Sequence, residues 1–228
     1  MLDDSARVSV RTLKTNTLSS IFKVYFIGWG TRLLLLQWLV SIVVRFSLEA
    51  PTWVDGAIVL GIIIWWPLQE WTAHLYILHA RPKKIGSFTF DSKAARVHRF
   101  HHAHPWDLNA IFVPPEVILG LIPLHFAFWY FVTPSLALCW TGMLAFTTAS
   151  LIYEWIHLFC HVSYLPKTAY FRRVQKNHRA HHFKNEQYWH AFTVPWIDQL
   201  FGTGPNPKDT PRSSTTKTLG IETTGVNT

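Results

Sequence analysis

Residues 117–153 hold no Asp, Glu, Lys or Arg, a run of 37 positions without a charge. Nothing else in the chain restricts its fold as strongly. Backbone crossing hydrocarbon must satisfy its own hydrogen bonds, so a run of this kind is expected to be helical. One span takes about 20 residues, so the run suffices for two spans, with Thr133-Pro134-Ser135 as the turn between them. Composition agrees: charged residues make up 15% of the chain, against about 25% in a soluble domain.

Two further apolar stretches precede this run. Val24 to Leu48 is interrupted by Arg32 and Arg45, and its uncharged centre, Leu33 to Val44, is short for a span. The two arginines are expected to snorkel to opposite interfaces; an interfacial or re-entrant helix is the alternative. The second stretch runs from Ala57 through Trp65-Trp66 to Leu68 and continues as a helix through Glu70, His74 and His79, until Arg81-Pro82 stops it.

Charge then orients the four spans. Segments 1–32, 81–99 and 167–184 carry five, six and six Lys/Arg, whereas 46–56 and 131–136 carry none. The positive-inside rule puts both termini and both basic segments in the cytoplasm. It also accounts for the net charge of +8 without a nucleic acid. The expected organisation is a cytosolic lead-in over 1–23, a membrane domain over 24–203 and a disordered polar tail over 204–228. The lead-in has no signal-peptide core. Cys139 and Cys160 lie in apolar stretches and form no C-x-x-C, so no disulfide or cysteine zinc site is expected.

The two basic segments carry a repeated motif. His98-Arg99-Phe100-His101-His102 and His178-Arg179-Ala180-His181-His182 both read H-x-x-H-H. Given thirteen histidines, chance supplies one such motif in roughly one sequence in 25 and two in about one in a thousand. Looser pairs precede them: His74 and His79, then His157 and His161. In H-x-x-H-H on a helix the three histidines share a face, as do His157 and His161. His74 and His79 do not, because five residues leave them roughly 140° apart on an ideal helix. A local distortion is expected there. The second and fourth spans end on the same side of the membrane, which brings both sets together.

Ten imidazoles exceed what one ion takes, since four to six ligands per ion imply two metals. Imidazole suits zinc, copper, iron and nickel alike. A metal pair beneath an apolar bundle suits a lipid, and attack on an unactivated C–H bond needs redox chemistry that zinc lacks. Iron with O2 supplies it.

The order H-x4-H, H-x2-HH, H-x3-H, H-x2-HH resembles the membrane fatty acid hydroxylase and sterol desaturase superfamily, and is most similar to its fatty acid 2-hydroxylase branch. His101-His102-Ala103-His104-Pro105-Trp106-Asp107 followed by Pro114-Pro115, and Trp196-Ile197-Asp198-Gln199-Leu200-Phe201-Gly202-Thr203, carry the likeness over about residues 65–204. The resemblance implies a four-helix membrane bundle with a cytosolic helical cap, all-α, holding two iron ions, with zinc as a substitute in purified protein. It implies O2 as co-substrate and hydroxylation of a lipid, with a fatty acyl chain the leading substrate. No cytochrome b5-like domain is fused, so a separate donor is expected: cytochrome b5-like, ferredoxin-like or a reductase.

Other residues have lesser expected roles. Glu70, Glu154, Asp107 and Asp198 could accept the free ring N–H of a ligand histidine; an interfacial ion pair or a helix cap is the alternative for them. His104 is expected to hydrogen-bond a ligand or touch substrate, His190 to stand beside the ligands, and His125 to pack within the bundle. Desaturation, or a sterol or carotenoid substrate, fits the same motifs. A zinc-dependent membrane hydrolase is the alternative from another class. A transporter would put its ligands near the bilayer midplane, which these spacings do not. The expected setting is a multi-pass protein with a cytosolic site, in a bacterial inner membrane in preference to the endoplasmic reticulum.

Overall fold

A computed structural model describes residues 16–221. The lead-in through residue 15 and the end of the tail, 222–228, lie outside the described residues. In chain order the elements are α1 (Leu18–Tyr25), α2 (Trp29–Ser47), α3 (Trp53–Ala73) running into one π-helical turn (His74–Leu78), β1 (Lys83–Ile85), β2 (Phe88–Phe90), α4 (Lys93–Ala103), α5 (Leu108–Ile111), α6 (Pro115–Val132), α7 (Leu136–His161), α8 (Ala169–Phe183) and α9 (Trp196–Leu200).

The uncharged run divides as its sequence directs. Ser135 caps α7 by accepting from the Leu138 amide, and Thr133 closes α6 by donating to the Trp129 carbonyl. Helix α7 has 26 residues, about 39 Å at 1.5 Å per residue, longer than a bilayer core of about 30 Å. It packs against α2, α3 and α6. Gly142 admits the closest approach, since a Cβ there would lie 2.2 Å from the Trp129 ring. At the start of α2, a Cβ on Gly30 would meet the Val113 carbonyl at 2.3 Å, so helix and loop touch backbone to backbone.

Among the described residues three helices are long and apolar enough to cross a membrane: α2, α6 and α7. Helix α3 is 21 residues long, but Asp55 at one end and Gln69-Glu70 at the other dilute its apolar centre. Many large apolar side chains on the long helices face outward, among them Val43, Ile63, Leu124 and Phe131, which suits a lipid surroundings.

Four expectations require correction. The fold is mostly rather than wholly helical, because Ile85-Gly86-Ser87-Phe88 closes an antiparallel hairpin with Gly86 at φ 61°, a conformation glycine adopts without strain. Arg45 does not reach water: it is buried, pairs with Asp55 at 2.6 Å and donates to Thr141 at 2.7 Å. Helix α1 runs across the boundary placed after residue 23, and its Ile21, Val24 and Tyr25 join a core with Leu108, Ile111, Leu158 and Phe159. The tail is packed from 204 to 221 and not disordered: Thr210 and Leu219 are buried there. Its serine and threonine hydroxyls find acceptors on the folded chain, which low hydrophobicity alone does not register.

Candidate metal centre

Helices α4 and α8 present their three histidines as spacing requires: His98, His101 and His102 on one, His178, His181 and His182 on the other, all buried. Adjacent positions on a helix point about 100° apart, so His101 and His102 cannot converge on one point, and neither can His181 and His182. The structure resolves this by exchange. One group, hereafter the π-turn group, is His74, His79, His98, His102 and His181; the other, the α7 group, is His101, His157, His161, His178 and His182. Each helix gives its i, i+4 pair to one group and its i+3 histidine to the other. In each group the five ligand-capable nitrogens lie within 4.8 Å of one another.

The distortion expected at His79 is the π-helical turn. The His79 amide donates to the His74 carbonyl at 3.2 Å, five residues back, and the two rings stand 5.0 Å apart. Widening the turn to about five residues stacks positions that an α-helix would splay.

Nitrogens face nitrogens throughout. In the π-turn group, Nε2 of His74 is 3.1 Å from that of His98, and Nε2 of His102 is 3.2 Å from those of His98 and His181. In the α7 group, Nε2 of His161 is 3.1 Å from that of His101 and 2.9 Å from that of His178. Backbone carbonyls decide what these nitrogens carry. Nδ1 of His74 lies 2.6 Å from the His190 carbonyl, that of His102 2.9 Å from Thr216, and that of His181 2.7 Å from Tyr188. A carbonyl only accepts, so each Nδ1 holds the proton and each Nε2 of a neutral ring is a bare lone pair.

The surroundings of the rings on α4 and α8 favour their neutral form. Burial, then repulsion among neighbours, holds His98, His101, His178, His181 and His182 well below the usual imidazole range. Burial is also the largest cause for His102, pushed down to about 3. The His102 and His181 lone pairs therefore confront each other with no proton between them, an arrangement that a cation relieves. Both groups are compatible with metal binding.

The expected carboxylate roles are corrected: among the described residues no hydrogen bond joins Glu70, Glu154 or Asp198 to a histidine ring. Glu70 accepts the Phe192 and Thr193 amides at 2.7 and 2.9 Å and the Thr193 hydroxyl. Asp198 accepts the His190 and Ala191 amides at 2.9 and 3.0 Å, and burial pushes its carboxyl up to about 6. Together they fix the 190–193 loop whose His190 carbonyl orients His74. Glu154 accepts the Val113 amide at 3.0 Å. Asp107 is buried ahead of α5, with its carbonyl accepting from Ala110 and Ile111. Glu70, Glu154 and Asp198 sit one helical turn or one loop away from the rings, where backbone amides are their donors.

His190 is buried beside the π-turn group, its ring 5.3 Å from that of His74, yet outside both groups of five. His104 is exposed and stacks on Phe100 at 4.5 Å, away from the cluster, because α4 has ended at Ala103. His125 packs on Phe146, as expected of a bundle residue. The carbonyls of Tyr188, His190 and Thr216 escape sequence reasoning altogether, since every residue has one.

A cavity of about 540 Å³ lies among α2, α3, α6 and α7, within the range of ligand sites, about 300–1,000 Å³. Trp66, Ile118, Met143, Phe146 and Tyr153 line it, together with His74 and His98 of one group and His157 of the other.

Known proteins agree with this architecture. A dihydroceramide fatty acyl 2-hydroxylase of Arabidopsis thaliana is 29% identical over 160 residues, covering 70% of this chain and 65% of that protein. The ceramide very long chain fatty acid hydroxylase of Saccharomyces cerevisiae is 29% identical over 156 residues, covering 68% of this chain and 39% of its own length. A rat fatty acid 2-hydroxylase is 24% identical, with 42% of its length covered, so the chain spans at most about two thirds of these three relatives. The solved structure of full-length Scs7p, in which only the hydroxylase domain is visible, shares the fold, with a TM-score of 0.62 and 21% identity over 90% of this chain and 72% of that one. The fatty acid hydroxylase model matches residues 59–203, most of the chain and every clustered histidine, and the chain belongs to that family.

Proposed function

We propose that this chain hydroxylates a fatty acyl chain of a lipid, using O2 and two iron ions held by its ten clustered histidines. The observation that carries the proposal is the convergence of ten imidazoles, nine of them buried, in two groups of five beside an apolar cavity. His74, His79, His98, His102 and His181 hold one ion; His101, His157, His161, His178 and His182 hold the other. Iron bound there supplies the redox chemistry that O2 reduction and C–H attack require; zinc accepts the same ligands without it.

The protein's own part is placement. Helices α2, α3, α6 and α7 form a four-span bundle, with α4 and α8 as a cytosolic cap, oriented by the basic residues of 81–99 and 167–184. The apolar wall of Trp66, Ile118, Met143 and Phe146 holds the chain and excludes water, and His74, His98 and His157 mark the end where the reacting carbon belongs. The names of the relatives point to carbon 2 of an acyl chain, in several of them a ceramide's. The reaction consumes O2, two electrons and two protons, leaving an alcohol and water. The electrons come from a separate donor protein.

Lipid analysis of cells with and without the chain tests this. A hydroxylated acyl lipid is expected with the intact protein and absent with His101→Ala or His181→Ala. Persistence of the product in both variants, or a product formed without O2 by zinc-loaded protein, rejects the proposal.

A further inference from the structure

The segment after Gly204 crosses the cap without regular secondary structure, yet it is tied down along its length. The Ser213 amide donates to the Lys184 carbonyl at 2.8 Å. The hydroxyls of Ser213 and Thr215 donate to one oxygen of buried Glu186, at 3.0 and 2.5 Å. Asn185 donates to the Pro211 carbonyl at 3.3 Å. Leu219 is buried, and Gly220, at φ 68°, lies so near the Arg81 guanidinium that a Cβ would come within 2.9 Å of it. Between these anchors the Thr216 carbonyl receives Nδ1 of His102 at 2.9 Å.

That contact touches one histidine group only. Among the described residues no hydrogen bond joins residues 204–221 to a ring of the α7 group. A carbonyl on Nδ1 does three things for a ligand: it fixes the tautomer, sets the ring's rotation and raises the basicity of Nε2. His102 is also the ring that faces both His98 and His181 through Nε2, so its rotation governs the π-turn group.

We infer that residues 204–221 are a strap that positions His102 through the Thr216 carbonyl and thereby sets the affinity of one metal site, leaving the other unaffected. The inference rests on the two-metal reading above. Thr216 is a positioning residue that acts by its backbone, so its own side chain is dispensable, and what matters is whatever keeps the strap seated. Glu186 is the main clamp, because it gathers two strap hydroxyls at a buried oxygen. Leu219 is the apolar anchor beyond the contact.

The test uses the full chain in detergent, stripped of metal and titrated anaerobically with Fe(II), with ions per chain measured by mass spectrometry and helicity by circular dichroism. Wild type is expected to take two ions. Glu186→Ala combined with Leu219→Asp is expected to weaken one of the two about 10- to 100-fold, the usual effect of losing a ligand's hydrogen-bond partner, with the other ion unchanged. Glu186→Gln keeps an acceptor oxygen and is expected to retain both, as is Thr216→Ala. If wild type binds no ion, the two-metal reading itself fails. If wild type binds two and the double variant titrates identically, the strap inference is overturned while that reading stands. Equal weakening of both ions, in the double variant and in Leu219→Asp alone, overturns it as well.

Discussion

The two histidine groups hold five rings each but are built differently. All five rings of the α7 group come from regular helices, and His157 and His161 are a plain i, i+4 pair. His157 is oriented by the Ile111 carbonyl, whereas Nδ1 of His101, His161, His178 and His182 has no protein partner among the described residues. The π-turn group needs a widened helical turn for His79, and carbonyls from two irregular segments, the 188–190 loop for His74 and His181 and the strap for His102. One group is positioned by helix geometry, the other by irregular backbone. The irregular group should therefore be the more easily disturbed from outside, since each of its supports is a loop with its own tethers.

The sharpest way to break this contrast is to change the π turn. Inserting one alanine after Tyr76 rotates His79 off the cluster, and about a 100-fold loss of product is expected, the usual cost of misplacing a group by about 1 Å. Deleting Tyr76, which is exposed, turns H-x4-H into the H-x3-H of the α7 group. A normal α-turn then suffices, and metal content is expected to stay within about tenfold in affinity. If deletion and insertion are equally damaging, the π turn has some purpose besides register.

Acid should act on both groups. Burial holds the rings that α4 and α8 give to both groups below the usual value of about 6.5 in the folded chain, so the stability they contribute is complete above that pH and is lost as pH falls beneath it. Each such ring costs roughly 1.4 kcal/mol per pH unit in that range. Metal-free protein is expected to lose melting temperature steeply from pH 6.5 to pH 5; a flat profile would mean that the rings are charged in the fold.

Glu70→Ala tests the tether behind the π-turn group. It leaves two buried amides and a hydroxyl without their acceptor, at about 1–3 kcal/mol each. Weaker metal binding in the π-turn group than in the α7 group is expected, read by the same titration. The smallest effect belongs to His104→Ala. Its ring is exposed, so stability should move by no more than about 0.5 kcal/mol and product formation should persist.

What could be read from the sequence follows the same division. H-x-x-H-H and H-x3-H announce a shared helical face because helix geometry is a property of spacing. The misfit of His74 and His79 was legible too, as a disagreement with that geometry, and it marked the π turn. The partition of His101 from His102 follows from the 100° between neighbours, yet only the packing of α4 on α8 shows which group each joins. The carbonyls of Tyr188, His190 and Thr216 leave no trace in side-chain chemistry. Glu70 and Asp198 stand out as buried acids, but their partners are amides of a loop far away in sequence. The strap reads as a polar tail because its Ser, Thr and Pro bury little apolar area, and its order comes from hydrogen bonds to residues 184–186, which are in place only once α8 has packed.

The pair of buried Arg45 with half-buried Asp55 lies at the opposite ends of the helices that carry the paired histidines. Asp55 begins α3, Thr141 lies near the start of α7, and both contact the same guanidinium on α2. Removing Asp55 would leave the buried Arg45 guanidinium without its counter-charge, so this junction holds firm. It serves as the pivot of a pair of tongs whose tips are His74/His79 and His157/His161. Over the roughly 30 Å of α3, a one-degree change in crossing angle at the pivot moves a tip by about 0.5 Å. The separation of the two histidine groups is thus gauged from the far side of the bundle, by an arginine that touches neither of them.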